Sequence, residues 1–337
     1  MKRFFAAALC GTACASSPGS SALGGADSKL VTSARGLNIL PASPRACPGE
    51  FIGAKYEVRL AGGTNLPLTE SDVASLVRRG TAVEPSRNGG WQTSVNPLAS
   101  AVTGFRLSAA LSRDTSIQGD TVVVPTYGCR PPVWIGASHA HVRLGTVRTP
   151  FYDSVVVATL EIAGRAPVVA VLGPDDWHRG AIRVNAAGRD GSPGRDGRRG
   201  ADGTECSNGE DGGDGTDGHD GGPGGQVDII VESGSSWLAD LVAVSNPGGH
   251  GGAGGRAGSG GRAGSPSRGS DKCTPKGGRP GQQGASGHDG TPGTPPVVTS
   301  VPLSLLWSGS PLWSDSTARA TLTTLIELSA RTGASRR

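Results

Sequence analysis

The chain has 337 residues, of which 56 are glycine and only 4% are aromatic, and its formal net charge is +4. So much glycine with so few aromatic side chains excludes one apolar core spanning the whole chain. The mild positive charge gives no reason to expect a nucleic acid or an anionic membrane as a partner. A globular core must therefore lie where Val, Ile, Leu and Trp concentrate, and the length allows two or three domains.

The N-terminus has the pattern of an export signal. Lys2 and Arg3 precede the short apolar stretch Phe4–Leu9, which matches the basic and apolar regions of a signal peptide. Two processing routes fit this pattern: cleavage before Ser16, or lipidation of Cys14 as in a bacterial lipoprotein. Both routes place the protein outside the cytoplasm, on the outer cell surface or secreted.

We assign residues 1–15 to the signal peptide and the Ser/Gly-rich residues 16–44 to a flexible tether. No later apolar run reaches the roughly 18 residues that a membrane-spanning helix needs. The sequence therefore allows contact with a membrane only through a lipid on Cys14.

Four cysteines remain beyond the signal: Cys47, Cys129, Cys206 and Cys273. They allow three disulfide connectivities. Cys47 and Cys129 flank a β-rich region, and Cys206 and Cys273 each lie in a glycine-poor break. Their locations favour the pairs 47–129 and 206–273, and export makes such bonds permissible.

Residues 45–186 have the pattern of a β-sandwich, as one domain or two small ones. Tyr56, Val58 and Leu60 alternate with charged residues, which indicates a half-buried strand. Turn signals separate further strand candidates at a spacing typical of sandwiches. These candidates are Phe105–Leu107, Val122–Val124, Val142–Leu144, Ser154–Ile162, Val168–Leu172 and Ala181–Val184.

One helix is predicted inside this region, over residues 69–79. Thr69 or Ser71 would cap it, and Gly80 would end it. Large aromatic side chains usually serve as core or rim anchors of such a domain. We expect that role for Trp91, Trp134 and Trp177.

His139 and His141 are two residues apart, so in a strand both side chains would project from the same face. Metal ligands can be arranged in this way, but a zinc site needs a third and a fourth ligand. The candidates in the sequence are Asp175, Asp176 and His178, and nothing in the sequence brings them close. We therefore interpret the two histidines as a solvated strand face and predict no metal site.

Glycine recurs at every third residue through most of 187–296. The repeat runs from Gly188 to Gly224 with one miss at Cys206, then over 249–264 and 278–293. A three-residue period in an extended chain indicates a polyproline-II helix, with the glycines on one edge. These repeats resemble collagen and the collagen-like Gly-X-Y proteins of bacteria, over about a third of the chain. The resemblance implies a conformation for this module and says little about a ligand.

Two folded architectures fit the repeats, a homotrimeric triple helix and an intrachain bundle of polyproline-II helices, and a disordered linker is the third reading. The runs are short, their registers differ and proline is sparse in the first two. The insert at 226–247 begins with the strand-like QVDIIVE and continues with SWLADLVAV, a short helix or turn plus a strand. Such an insert suits a chain reversal, so we favour the intrachain bundle and a monomer, with the homotrimer as the alternative.

Charge supports this reversal. The stretch from Glu205 to Asp220 is acidic, whereas the stretch from Arg256 to Arg279 is basic. Turning the chain around the insert lays these stretches against each other and brings Cys206 and Cys273 to one end. Exposed ion pairs contribute only about 0.2–1 kcal/mol each, so they would set orientation more than stability.

The C-terminal residues 297–337 are apolar enough to be globular again. Residues 297–306 predict a strand or extended arm. A helix follows, capped by Ser314 or Asp315 and ending near Ala330. Its apolar stripe, which includes Leu322, Leu325 and Ile326, must pack against the insert, the β-domain or a second copy of itself.

The sequence thus predicts a mainly β fold: a β-sandwich, then an intrachain polyproline-II bundle, then one C-terminal α-helix. No nucleophile or zinc-protease motif is present, so we predict no catalytic residue and no cofactor. The expected function is a non-enzymatic structural or adhesion protein that displays a rigid glycine-repeat scaffold to an extracellular protein or glycan. The alternative is a carbohydrate- or protein-binding sandwich on a glycine-repeat stalk, and an enzyme would need a polar pocket around His139 and His141.

Overall fold

A computed structural model describes residues 33–129, 132–135, 139–265 and 273–333. The predicted signal peptide, with Cys14, lies outside the described residues. The chain divides into two compact units. The first holds residues up to Ser94 together with Phe105–Val124, and the second holds Val95–Gly104 and residues from Pro125 onward. β-Strands are the main regular secondary structure in both, as predicted. Within the described parts of the chain, no helix is long and apolar enough to cross a membrane.

The first unit contains three small sheets, with the strand orders β1-β4-β5, β2-β10-β9-β6 and β3-β8-β7. Their common core includes the fully buried side chains of Tyr56, Trp91, Phe105 and Leu107. The strands are β1 (Ala34–Pro41), β2 (Arg45–Ala46), β3 (Phe51–Ile52), β4 (Ala54–Leu60), β5 (Asn65–Pro67), β6 (Leu76–Thr81), β7 (Val83–Pro85), β8 (Trp91–Thr93), β9 (Phe105–Leu111) and β10 (Gln118–Pro125).

Two segments of the first unit differ from the prediction. Residues 34–41, expected in the flexible tether, form β1, because Leu37 and Ile39 are buried in the core while the strand pairs with β4. The helix expected over 69–79 is the short α1 (Glu70–Ala74), capped by Thr69 as predicted. Residues 76–81 instead pair antiparallel with β9, so strand pairing overrides the local helical pattern.

The second unit is layered. A five-stranded sheet of order β14-β13-β12-β16-β18 packs against a three-stranded parallel sheet of order β11-β15-β17. The strands are β11 (Val133–Ile135), β12 (His139–Val147), β13 (Val155–Ile162), β14 (Val168–Leu172), β15 (Ile182–Asn185), β16 (Gln226–Glu232), β17 (Val242–Ser245) and β18 (Val297–Val301). Short 3-10 helices lie at Pro97–Ser100, Pro174–Asp176, Ser236–Leu241, Leu303–Leu305 and Pro311–Ser314.

The C-terminal helix α2 (Ser316–Gly333) covers the opposite face of the five-stranded sheet. Asp315 caps it, as predicted, by accepting bonds from the backbone N–H groups of Thr317 and Ala318. Leu322 and Leu325 are fully buried in a core that also contains strand residues of β12 and β13. Of the surfaces proposed for the apolar stripe, the β-domain provides most of this core, and Ile230 of the insert packs against it as well.

Residues 45–186, predicted to form a β-sandwich of one domain or two small ones, are divided between the two units. The central strand β12 pairs in parallel with β16 of the insert, and β16 pairs in parallel with β18. The strands of one sheet therefore come from regions far apart in the sequence. Local patterns identify such strands but cannot show that they share a sheet.

Four glycine-repeat segments lie between these strands: segment 1 (188–203), segment 2 (209–224), segment 3 (246–264) and segment 4 (276–293). They are neither α-helix nor β-strand, and backbone hydrogen bonds join them at every third residue. Segments 1 and 3 run parallel, as do segments 2 and 4, whereas each of these pairs is antiparallel to the other. Segments 2 and 3 each bond to all the others.

The segments continue the two sheets of the second unit. The parallel strands β15 and β17 lead directly into the parallel segments 1 and 3, and segments 2 and 4 lead into the parallel strands β16 and β18. The register continues as well: Asn185 pairs with Ser245 in the sheet, and Asp190 then bonds to His250. The glycine module is thus an extension of the sandwich layers.

The repeat glycines lie where no side chain fits. A Cβ atom on Gly255 would lie 1.9 Å from the carbonyl oxygen of Arg195, and one on Gly278 would lie 1.8 Å from that of Glu210. Segment 3, with neighbours on several sides, carries glycine at two of three positions over much of its length. The period of three therefore reflects close approach of backbones within one chain.

Both predicted disulfides are confirmed, Cys47–Cys129 and Cys206–Cys273. The chain reverses between segments 1 and 2 at Cys206, whose φ is +53°. Its Cα atom lies 5.6 Å from that of Cys273, just before segment 4. The bond therefore ties the end of the glycine module that is farthest along the chain from the sheets. Two disulfides indicate an oxidising environment.

Candidate functional site

Two features of the second unit are candidates for function: the surface of the glycine module and a histidine–aspartate cluster on the five-stranded sheet. The module is built by a row of acidic and amide side chains that link parallel segments. Each occupies the third position of a repeat and accepts a hydrogen bond of 2.6–2.8 Å from a backbone N–H of the parallel segment. The acceptors are Asp190, Asp196, Asp202, Asn208, Asp211, Asp214, Asp217 and Asp220.

This aspartate ladder satisfies amides that the glycine bonds do not reach. For example, Gly212 donates its N–H to the carbonyl of Arg279, and Asp211 accepts from the N–H of Arg279. The bond from the Arg262 amide is the main cause that lowers the pKa of Asp202, and the His288 amide does the same for Asp220. These aspartates therefore have a structural role, because they join parallel segments.

The ladder also corrects the expected role of charge. The acidic and basic stretches do lie side by side, but the carboxylates bind backbone amides. Among the described residues, the guanidinium groups of Arg256, Arg262 and Arg279 form no ion pair. These side chains are exposed, so the module presents arginines to solvent beside aspartates that each have one carboxylate oxygen engaged by a backbone amide.

The histidine–aspartate cluster is assembled by three neighbouring positions on β12 and β16. His139 and His141 project from the same face of β12, as the sequence predicted for a strand. In the parallel pairing, Asp228 of β16 lies directly opposite His141. The even-numbered side chains Ala140 and Val142 are completely buried in the core on the other face. Core packing thus fixes which way the histidines point.

The polar atoms of the cluster converge on one carboxylate oxygen. Oδ2 of Asp228 lies 3.1 Å from Nε2 of His139 and 3.5 Å from Nδ1 of His141. Nε2 of Gln226 donates to the other oxygen, Oδ1, at 3.1 Å. Nδ1 of His141 is shielded from solvent and has no hydrogen-bond partner among the described residues. The side chain of Asp228 is 22% exposed, so it is the least accessible of the three.

An ion pair lies beside the cluster on the same sheet face. Nε of Arg143 donates to both carboxylate oxygens of Glu161 at 3.0 Å, and Nη1 of Arg143 donates to the carbonyl oxygen of Leu306. Both side chains are largely buried. Glu161 lies opposite His141 in the strand register, but Arg143 holds its carboxylate. Asp228 is therefore the acidic group that faces the histidines.

The sequence offered Asp175, Asp176 and His178 as further ligands, with no signal that any of them is close to the histidines. Among the described residues, the group that could hold a metal ion is His139, His141 and Asp228. Asp176, one of the expected partners, accepts a hydrogen bond from the backbone N–H of Gly173 instead. Asp228 was recognised only as part of a predicted strand. Its relation to His141 depends on a strand pairing between distant parts of the chain, which no local signal reports.

Two tryptophans form a pair on the second unit. The rings of Trp177 and Trp237 are 5.2 Å apart at their centroids and tilted by 46°. Trp237 is 40% exposed, and Trp177 is partly buried against the core. The other two expected anchors, Trp91 and Trp134, are buried. The sequence predicted Trp177 as an anchor but not its partner, which lies in the insert.

The first unit contains a cleft of about 650 Å³ beside Tyr56 and Gly89. Burial raises the pKa of Tyr56. Its hydroxyl donates to the carbonyl oxygen of Gly89 and accepts from Nε1 of Trp91. The phenol is thus held by structural hydrogen bonds, and we assign no chemistry to the cleft.

No protein-family model, no curated protein and no solved structure matches this chain. A functional proposal must therefore rest on the geometry of the glycine module and of the five-stranded sheet.

Proposed function

We propose that the protein is a non-enzymatic, exported structural or adhesion protein. Its glycine module would be an intrachain bundle of polyproline-II helices that projects from the sandwich and displays charged side chains. The observation that carries this proposal is the hydrogen-bond network, in which repeat glycines of each segment donate to carbonyls of another segment at every third residue. Three residues per turn is the period of the polyproline-II helix.

The bundle would be a rigid rod. At about 3.1 Å per residue, a segment such as 188–203 would span about 50 Å. Its repeat glycines donate their N–H groups to other segments, aspartates accept further backbone N–H groups, and the Cys206–Cys273 bond closes its far end. A chain with these restraints holds its surface side chains at fixed spacing, which a flexible linker cannot do.

The surface of the rod supports contact with an extracellular partner. Arginines such as Arg195, Arg198 and Arg256 are exposed at regular intervals, and arginine forms bidentate bonds with carboxylates and other oxyanions. Two disulfides fit an oxidising compartment, and the N-terminal residues have the pattern of an export signal. We propose a location on the outer cell surface or in the medium, with an acidic extracellular protein or glycan as the partner.

Limited proteolysis with trypsin tests the rod directly. Trypsin cleaves after arginine, and segments 1 and 3 carry many exposed arginines. Cleavage needs local unfolding, because the backbone around each arginine is hydrogen-bonded. We expect segments 1 and 3, which contain Arg195, Arg198, Arg256 and Arg262, to stay intact under native conditions and to be cut after reduction with denaturation. Rapid native cleavage within 188–203 or 246–264 would contradict a rigid scaffold and favour a flexible stalk.

The pair Trp177–Trp237 supports a second candidate function, a carbohydrate-binding sandwich carried on the glycine module. A partly exposed indole over another indole offers an apolar platform of the kind that interfaces use. Screening the protein on a glycan array, with Trp237→Ala as a matched variant, distinguishes the carbohydrate-binding function from the scaffold function. Binding lost in W237A would support recognition by the sandwich, whereas binding that survives in W237A would assign it elsewhere.

A further inference from the structure

The histidine–aspartate cluster has the composition of a metal site. Two imidazole nitrogens and one carboxylate oxygen form a borderline-soft ligand set, which suits zinc, whereas calcium and magnesium prefer ligands that are all oxygen. We propose that His139, His141 and Asp228 bind one zinc ion. This inference does not depend on the proposed scaffold function, and it replaces the sequence-based expectation of no metal site.

The two distances from the histidine nitrogens to the Asp228 carboxylate are close to those in a tetrahedral zinc site. Tetrahedral zinc with bonds of about 2.0–2.1 Å holds its ligand atoms about 3.3 Å apart. Oδ2 of Asp228 lies 3.1 Å from Nε2 of His139 and 3.5 Å from Nδ1 of His141. All three ligand atoms lie within 4.8 Å of one another. The side chain of His139 is half-exposed, so its ring can adjust by rotation when an ion binds.

The buried ring nitrogen of His141 is the second observation. Nδ1 is shielded from solvent and lacks a hydrogen-bond partner among the described residues, although it points toward Asp228. A buried polar atom without a partner is unfavourable. A bound ion would satisfy this nitrogen, because a neutral imidazole nitrogen is a good zinc ligand.

The surroundings already provide support for the ligands. Gln226 holds Oδ1 of Asp228 and leaves Oδ2 free to face the histidines. Such outer hydrogen bonds orient ligands and tune metal affinity. The positive charge of Arg143 is neutralised by its two bonds to Glu161, so it does not oppose a cation nearby.

The site would join two parts of the fold. Three protein ligands leave one position of a tetrahedral ion open for water or for a ligand from a partner. The ion would also link β12 to β16, the first strand of the insert. Zinc binding should therefore stabilise the second unit, because a ligand that binds only the folded state raises its stability.

Isothermal titration of the tag-free, metal-stripped protein with zinc chloride tests the site. We expect one tight equivalent of zinc per chain. His141→Ala should abolish this equivalent, and Gln226→Ala should weaken its binding by about tenfold or more. Cobalt titration gives a second readout, because its visible absorption reports coordination by nitrogen and oxygen in a tetrahedral site.

A matched control is available on the glycine module. Nδ1 of His288 lies 3.2 Å from Asp220, which forms a single histidine–aspartate pair on an exposed surface. His288→Ala should leave the tight equivalent unchanged. The side chains of His139 and His141 are half-exposed, so alanine variants should fold, and circular dichroism checks this. Equal zinc binding by wild type and H141A, no tight binding by wild type, or an equal loss in H288A would overturn the proposal.

Discussion

The sandwich of the second unit and the glycine module are joined layer to layer, yet different forces hold them together. Leu144 of the five-stranded sheet and Ile182 of the three-stranded sheet are fully buried in one core, and apolar side chains fill the space between the layers. The module has no such filling, since the backbones themselves are in contact and bond to each other. The sandwich is stabilised by burial of apolar side chains. The module is stabilised by backbone hydrogen bonds that can form only where side chains are absent. The tolerance of the two regions to substitution should therefore be opposite.

The largest expected effect is from Gly278→Ala in segment 4. The new Cβ would lie 1.8 Å from the carbonyl oxygen of Glu210, so the segments must separate there. We expect a loss of about 4–5 kcal/mol, at the upper end for single substitutions. Chemical unfolding followed by circular dichroism measures this loss.

The neighbouring Gly277→Ala is the control for that experiment. Its Cβ would come no closer than 3.4 Å, to the carbonyl oxygen of Gly261, which is an ordinary contact. The same substitution one residue away should therefore change stability little. Similar losses in both variants would mean that glycine content, and not close packing of the segments, determines the stability of the module.

Removing the Cys206–Cys273 bond should have the next largest effect. The bond spans 67 residues of sequence, and a loop of that size corresponds to about 4 kcal/mol on the chain-entropy model. The double variant Cys206→Ser/Cys273→Ser should lose stability in the module and become sensitive to trypsin at Arg199 and Lys276, the sites in segments 1 and 4 that lie nearest to the lost bond. A double variant as stable as wild type would show that the segments need no closure at that end.

In the sandwich, Leu322→Ala should destabilise through a cavity. Leu322 is fully buried between α2 and the five-stranded sheet, and such truncations cost about 2–5 kcal/mol. Leu322→Met, which keeps most of the volume, should cost less than about 1.5 kcal/mol. In the sandwich, the loss of stability should thus depend on how much side-chain volume is removed. At the repeat glycines of the module, any added side chain should be destabilising. An equal loss in both leucine variants would argue against side-chain packing as the basis of the sandwich.

The aspartate ladder predicts a smaller effect that depends on pH. Backbone hydrogen bonds lower the pKa of Asp202 and Asp220 in the folded chain. Their contribution is therefore complete above the ordinary aspartate pKa of about 3.9 and is lost as pH falls through the lowered values. The midpoint of thermal unfolding should fall in acid. Asp202→Asn/Asp220→Asn should reduce this fall, because an amide oxygen still accepts but does not titrate. An unchanged pH profile would contradict the ladder.

Local patterns identified the elements whose form depends on neighbouring residues. The cap at Asp315 and the stripe with Leu322 and Leu325 predicted α2, and the apolar run Ser154–Ile162 predicted β13. The disulfide pairs followed from location. The helix expected over 69–79 was wrong beyond Ala74, because residues 76–81 gain more by pairing with β9.

Features that depend on the register between distant segments could not be predicted. The miss in the glycine repeat at Cys206 is the point where the chain reverses, so one predicted run is two segments. The aspartate ladder requires knowing which segments run parallel. Asp228 joins the histidines only because β12 and β16 pair in parallel. In each case, the chemistry is visible in the sequence but the juxtaposition is not.

The central claim is that the glycine-repeat segments fold against each other within one chain. Light scattering of the mature protein combined with amide hydrogen exchange tests it most directly. We predict the mass of a single chain, with slow exchange of the repeat-glycine amides throughout segments 1–4. A trimeric mass would show that the glycines pair between chains, and a monomeric mass with fast exchange would show that the segments do not hold together; either result would contradict the claim.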